Sequence, residues 1–337
     1  MNRSLSATGK YGGYLLVLLL LLTAGPSLAV NLAAVERTWT PPDGGAAIRM
    51  WGFVEDPGSC TALPNSWLPG PIQQGVVNGT LSITLRNCLS EPVSLIIPGL
   101  ETNLTPQTFV DAGGRTRVRA FTHEVPADNG TTVVTYSWNN LRAGTYLYQS
   151  GSHPAKQVPM GLYGAVTVGR DTAAANDVVL LFSEIDPALH GAAEAANAKN
   201  YKPKYYLING QSALPGSAPP VVAGGRNQKT LQLRFLNAGL MTHVPTIQGP
   251  YMTLIAEDGY PYPYPRQQYS VLLPAGKTID ALWSPDVQAS FALYDRRLSM
   301  TTNGTPGGGM LVSLNVAKKF PWILYVPPII HGGIVVP

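Results

Sequence analysis

The side chains that could bind metal or carry redox chemistry are few and dispersed. The histidines are His123, His153, His190, His243 and His331, and the only cysteines are Cys60 and Cys88. Imidazole, thiolate and thioether are the donors that suit copper and related metals. His153 is followed seven residues on by Met160, and His243 stands near Met241. An imidazole with a thioether could form a soft Cu(I) site. The competing reading is a loop histidine bonded to backbone or water, with a methionine that fills the core. His123, His190 and His331 carry no pattern. Glu184 and Asp186, in Ser-Glu-Ile-Asp-Pro, are close enough for acid–base work. Their place between a strand signal and a proline points instead to capping of the helix that follows. No nucleophile elbow, phosphate-binding loop or zinc motif occurs.

Neither cysteine has a histidine neighbour, so Cys60 and Cys88 read as one disulfide rather than as thiolate ligands. The N-terminus fits the oxidising compartment that a disulfide needs. Arg3 and Lys10 precede a short apolar run at 14–22, and Ser27-Leu28-Ala29 is a small-x-small cleavage site. Residues 1–29 therefore read as a signal peptide. Gly25 and Pro26 interrupt the apolar run, which argues against a membrane anchor. The expectation is a periplasmic or extracellular protein with no membrane span after cleavage.

Strand signals place these residues. Alternation of apolar and polar residues at 80–86 marks a half-buried strand. Similar stretches lie at 131–138, 144–148, 164–168 and 178–182, then at 230–235, 252–256, 268–273, 290–294 and 310–316. Asn-Gly and Asp-Gly turns at Asn78, Asn129, Asn209, Asp258 and Asn303 punctuate them. Asn78, Asn103, Asn129 and Asn303 also begin Asn-x-Ser/Thr sequons, although turn asparagines are the simpler reading. An Ala-rich helix is expected over 187–199. With 337 residues, 45% apolar and only 12% charged, the chain fits two globular domains. The boundaries read as 30–168 for domain one, 169–204 for a linker, 205–317 for domain two, and 318–337 for an apolar, proline-rich tail. The net charge of +4 is scattered, which excludes a nucleic-acid groove. Tyr260-Pro-Tyr-Pro-Tyr-Pro265 favours an extended stretch with rings at the surface, either a docking ridge for protein or polysaccharide or ordinary loop packing.

Several motifs occur in a telling order. Trp67-Leu-Pro-Gly-Pro-Ile72 precedes the 81–86 strand. Gly144-Thr-Tyr-Leu-Tyr-Gln-Ser-Gly-Ser-His153 leads into Gly161-Leu-Tyr-Gly164. Tyr205-Tyr-Leu-Ile-Asn-Gly210, Leu233-Arg-Phe-Leu-Asn-Ala-Gly239 and Leu254-Ile-Ala-Glu-Asp-Gly259 follow. Together they resemble the multicopper oxidases over about residues 60–316. The resemblance implies an all-β fold of two tandem cupredoxin-like Greek-key sandwiches. It also locates the copper ligands of such proteins. The first H-x-H motif falls on Ile96 and Pro98, the second on Gln149 and Gly151, and the C-terminal H-C-H motif has no counterpart. Alternate residues on a strand share a face, so H-x-H brings two imidazoles to one copper cluster. Aliphatic, amide and glycine positions cannot replace them. The expectation is a binding or scaffold module without a cofactor, acting with a protein partner or as a homo-oligomer. The alternative is a copper-dependent oxidoreductase with atypical or partner-supplied ligands.

Overall fold

The computed structural model describes residues 27–61, 65–100, 102, 105–191 and 198–318. Most of the signal-peptide reading, Asn103, His331 and nearly all of the apolar tail lie outside the described residues.

Ten strands build the first half: β1 (Ser27–Trp39), β2 (Ile48–Glu55), β3 (Gly70–Gly75), β4 (Thr80–Asn87), β5 (Leu95–Ile96), β6 (Gln107–Val110), β7 (Thr116–Ala120), β8 (Val133–Trp138), β9 (Gly144–Ser150) and β10 (Tyr163–Val168). A one-turn helix, α1 (Pro154–Gln157), joins the last two. The strands form two four-stranded sheets, ordered β2-β1-β4-β8 and β3-β10-β9-β5, with β6 and β7 as a separate hairpin. Alternation along β4 is complete: Leu81, Ile83, Leu85 and Asn87 are buried while the residues between them are half-exposed. The apolar residues meet Trp51, Tyr136, Tyr148 and Met160 in the first core. Cys60 and Cys88 form the expected disulfide. Ser27, Leu28 and Ala29 pair with Thr80, Leu81 and Ser82, so the strand begins ahead of the expected cleavage point.

The second half adds β11 (Asn176–Ile185), α2 (Pro187–Gly191), β12 (Tyr205–Ile208), β13 (Val221–Arg226), β14 (Leu231–Asn237), β15 (Pro245–Ile247), β16 (Met252–Glu257), β17 (Tyr260–Gln268), β18 (Thr278–Trp283), β19 (Ala289–Asp295), β20 (Thr301–Thr302), β21 (Thr305–Pro306) and β22 (Leu311–Ala317). One sheet runs β17-β16-β18-β14-β11-β12-β20-β21, and the other β13-β22-β19-β15. The range read as a linker needs correction. It contains β11, a central strand that pairs in parallel with β14 and antiparallel with β12. Its near-continuous apolar run suits a strand covered on both faces. The second sandwich thus starts near Asn176; of the helix expected over 187–199 the described residues show α2 and a 3-10 turn at Ala198–Asn200, and 192–197 lie outside them.

A third apolar cluster seals the two halves together. Trp39, Met50, Trp67 and Tyr163 of the first half pack with Leu181, Ile185, Tyr205 and Leu236 of the second. Trp39 and Tyr205 meet edge-on at 5.0 Å, and the Trp39 indole donates to the Gly210 carbonyl at 3.0 Å. Among the described residues no helix is long and apolar enough to cross a membrane.

Candidate functional site

Three of the four positions that the motifs mark, Ile96, Gln149 and Gly151, meet at one end of the first sandwich. β5 is short because Pro98 and Gly99 turn the chain just after it, with Gly99 at φ 87°. Its two residues pair with the end of β9, which sets Ile96 opposite Gln149 and Leu95 opposite Ser150. One residue on, the Gly151 N–H donates to the Ser94 carbonyl at 3.2 Å. A Cβ on Gly151 would lie 2.8 Å from Ile96 Cγ2 and 2.8 Å from Ser94 Oγ. No side chain fits there without a shift. Pro98 is exposed on the turn.

The nearest polar groups are oxygens bonded to one another. Ser152 Oγ donates to Glu124 Oε1 at 2.8 Å and lies 3.1 Å from Ser94 Oγ. Ser150 Oγ donates to Gln157 Oε1 at 2.5 Å, and Gln157 Nε2 donates to the Pro92 carbonyl at 3.0 Å. Glu124 is also paired with Arg119. These buried groups escaped the sequence reading. Their only signal was serine at 94, 150 and 152, beside or between the marked positions.

Copper does not fit the donor set at this site. An alkyl chain, a proline ring, an amide and a bare backbone supply no imidazole or thiolate. The serine, glutamine and glutamate oxygens close by are already committed to internal bonds. No group of three or more His, Cys, Asp or Glu side chains able to hold a metal occurs among the described residues.

Among the described residues the other histidines do not supply the missing donors. His153 is exposed at the start of α1, with φ 41°, while Met160 is fully buried in the first core. The two candidates thus stand in different surroundings, the imidazole at the surface and the thioether in the core. His123 is exposed and lies 3.2 Å from Gln107 Nε2. His190 is buried, with Nδ1 2.7 Å from the Asp186 carbonyl, and burial pushes its pKa down.

His243 is the surprise. It is buried between two acids, with Nδ1 3.0 Å from Asp295 Oδ2 and Nε2 in close contact with Glu184 Oε1. Both nitrogens are therefore occupied, on opposite sides of the ring, and neither is open to metal. Burial works against the charged ring, but the bonds to Asp295 and Glu184 outweigh it and raise the pKa. Burial also works against the Asp295 anion, yet bonds from His243, Ser299 and the Val244 N–H hold its pKa down at about 2. Asp186 caps α2 as expected, accepting from the Ala188 N–H at 2.9 Å. Glu184 does not. It accepts from the Leu240 and Met241 N–H groups and from Tyr201 Oη, at 3.0, 3.3 and 3.1 Å.

Residues 180–311 match the family model for multicopper oxidases. This is a multicopper-oxidase-like chain. Its fold is shared by a blue copper oxidase from Nitrosomonas europaea, with a TM-score of 0.69 at 17% identity over 89% of this chain and 90% of that one. A copper nitrite reductase from the same organism superposes with a TM-score of 0.61 at 18% identity, over 86% of this chain and 94% of that one. A laccase from Botrytis aclada gives 0.64 at 19% identity, and there the match takes in 87% of this chain but 53% of the laccase. No curated protein matches it by sequence. The all-β fold is cupredoxin-like, and where the sequence resemblance would set the H-x-H motifs the multicopper-oxidase-like chain has Ile96, Pro98, Gln149 and Gly151.

Proposed function

We propose that this protein is an exported binding or scaffold module, in which the multicopper oxidase fold persists without its copper chemistry. It would act in the periplasm or outside the cell, with a protein partner or a second copy of itself. One observation carries the reading: three of the marked positions meet in space, with Ile96 set against Gln149 and Gly151 packed against Ile96. Redox catalysis at copper needs clustered nitrogen and sulfur donors, and those strands offer none. The Cys60–Cys88 disulfide supports an oxidising compartment.

A second reading draws on the comparisons. Proteins of the same fold are named as copper oxidases and a copper nitrite reductase. A copper-dependent oxidoreductase whose ligands come from a partner chain would share that fold. Metal analysis of protein expressed with copper supplied separates the two. Folded protein carrying only trace copper is the expected result. Copper near one equivalent per chain, with a blue or near-ultraviolet charge-transfer band, would establish the oxidoreductase. N-terminal sequencing of the exported protein tests cleavage after Ala29 against cleavage before Ser27.

A further inference from the structure

β17 ends the eight-stranded sheet, so among the described residues one side of its backbone has no strand neighbour. Pro261, Pro263 and Pro265 lack N–H groups and prevent that edge from recruiting another strand. What the edge offers is side chains. Tyr260 is 63% exposed and Tyr264 85%. Tyr269 lies just beyond the far end, edge-on to the exposed Tyr251 at 5.9 Å.

A guanidinium accompanies most of these rings. Arg142 sits 4.2 Å over Tyr260, Arg266 5.7 Å over Tyr262 and Arg296 5.3 Å over Tyr269. Among the described residues none of these arginines is in an ion pair. Arg49, Arg86, Arg115, Arg117, Arg119 and Arg234 each have a carboxylate. The acids nearest the ridge are already engaged: Lys277 lies 3.3 Å from Glu257 and 2.7 Å from Asp258. At the Tyr260 end, Arg142 and Pro261 border a cavity of about 310 Å³ that Arg170 also lines. Its acids are Asp171 and Asp280. Asp171 accepts the Ala173 N–H, and Asp280 faces Arg234.

We infer that this ridge binds an acidic polysaccharide, whose carboxylates pair with Arg142, Arg266 and Arg296 while its sugar rings lie against the tyrosines. A guanidinium matches a carboxylate with two parallel hydrogen bonds. An aromatic ring gives a flat apolar face with little ordering cost, because its side chain has few rotatable bonds. The prolines hold the stretch extended, and nine residues of strand span at most about 30 Å, which suits a linear polymer. The inference stands whether or not copper binds elsewhere.

Affinity electrophoresis of the full chain tests it, in gels cast with polygalacturonate, with neutral dextran, or with neither. Retardation by polygalacturonate alone is expected, and it weakens with added salt. Tyr264→Ala and Arg266→Ala should each weaken binding about fivefold or more. Arg117→Ala, the same charge change at an arginine already held by Asp111, should leave it within about twofold. Should Arg266→Ala lower the melting temperature, Arg266→Gln takes its place. Four results would overturn the inference: no retardation by polygalacturonate, equal retardation by dextran, equal losses in the Arg117 and Arg266 variants, or tighter binding of a single-stranded oligonucleotide than of polygalacturonate.

Discussion

The His243 ring is held at both nitrogens, with Asp295 Oδ2 3.0 Å from Nδ1 and Glu184 against Nε2. None of the three side chains has exposed area. An ionised carboxylate only accepts hydrogen bonds. With both acids ionised, both contacts are satisfied only when the ring carries a proton on each nitrogen. The imidazolium ties β11, which bears Glu184, to the end of β19, which bears Asp295.

Removing the ring strands two buried acids. His243→Ala is expected to cost about 3–5 kcal/mol, the range for breaking a buried ion pair from one side. His243→Gln, which can still donate to one acid, should cost less. Urea denaturation of the three proteins measures this. A loss in His243→Ala no larger than that of an exposed substitution would show that the acids find other partners.

The same network sets a pH dependence. The folded pKa of His243 is raised, so its stabilisation is complete below the unfolded value of 6.5 and fades as pH rises through the folded value. Asp295 runs the other way: its stabilisation is present above 3.8 and is lost as pH falls toward about 2. The stability gap between wild type and His243→Gln should accordingly narrow from mildly acidic to alkaline buffer. A gap that stays constant across that range would mean that the ring is neutral in the folded protein.

Ile96 and Gln149 are paired directly across the β5–β9 ladder. Opposed residues in such a ladder have Cβ atoms about 4.5–5.5 Å apart, within reach of one metal ion. Ile96→His with Gln149→His should thus bind Ni(II) or Cu(II), and its melting temperature should rise with added metal. The wild type should show no such rise. If it gains as much as the double variant, tight donors already exist nearby. Gly151→Ala tests the crowding on the same spot. Its methyl must displace Ile96 or Ser94, at a cost of about 1–3 kcal/mol in thermal or urea unfolding.

What was legible in the sequence was local. The alternation at 80–86 became β4, and Asn78, Asn129 and Asn303 sit at turns with positive φ. Ile96 and Gln149, singled out by the motif order, are cross-strand neighbours, a pairing that the sequence alone did not give. The charged core was not legible, because Glu184 and Asp295 reach His243 across 59 and 52 residues. No spacing rule links residues on β11, β19 and the loop before β15. Glu184 looked like a cap because it precedes a helix, whereas the β11–β12 pairing buries it inside the second sandwich.

The Cys60–Cys88 bridge closes a loop of 28 residues. In the chain-entropy model such a loop contributes about 3–4 kcal/mol by restricting the unfolded chain. Cys60→Ser with Cys88→Ser should lower the urea midpoint accordingly, and reductant should do the same to wild type but nothing to the variant. An unchanged wild-type midpoint after full reduction would place the stabilisation elsewhere.

Arg234 joins the two sandwiches from a fully buried position. Its guanidinium donates to Asp177 Oδ2 at 2.7 Å, to Thr145 Oγ1 at 2.9 Å and to the Gly169 carbonyl, and it lies 3.6 Å from Asp280. Thr145 in turn donates to Asp280 at 2.5 Å. Burial raises the Asp280 pKa, and Arg234 is the main opposing influence. Arg234→Met keeps the volume but leaves Asp280 without its counter-charge, so a loss of about 3–5 kcal/mol is expected. Asp280→Asn in that background removes the stranded charge and should recover part of the loss. A double-mutant cycle in urea reads the coupling, for which contacting charges give about 0.5–3 kcal/mol. Strict additivity would mean that Thr145 and Gln232 alone hold the Asp280 carboxylate, and that Arg234 serves the seam only through Asp177 and the Gly169 carbonyl.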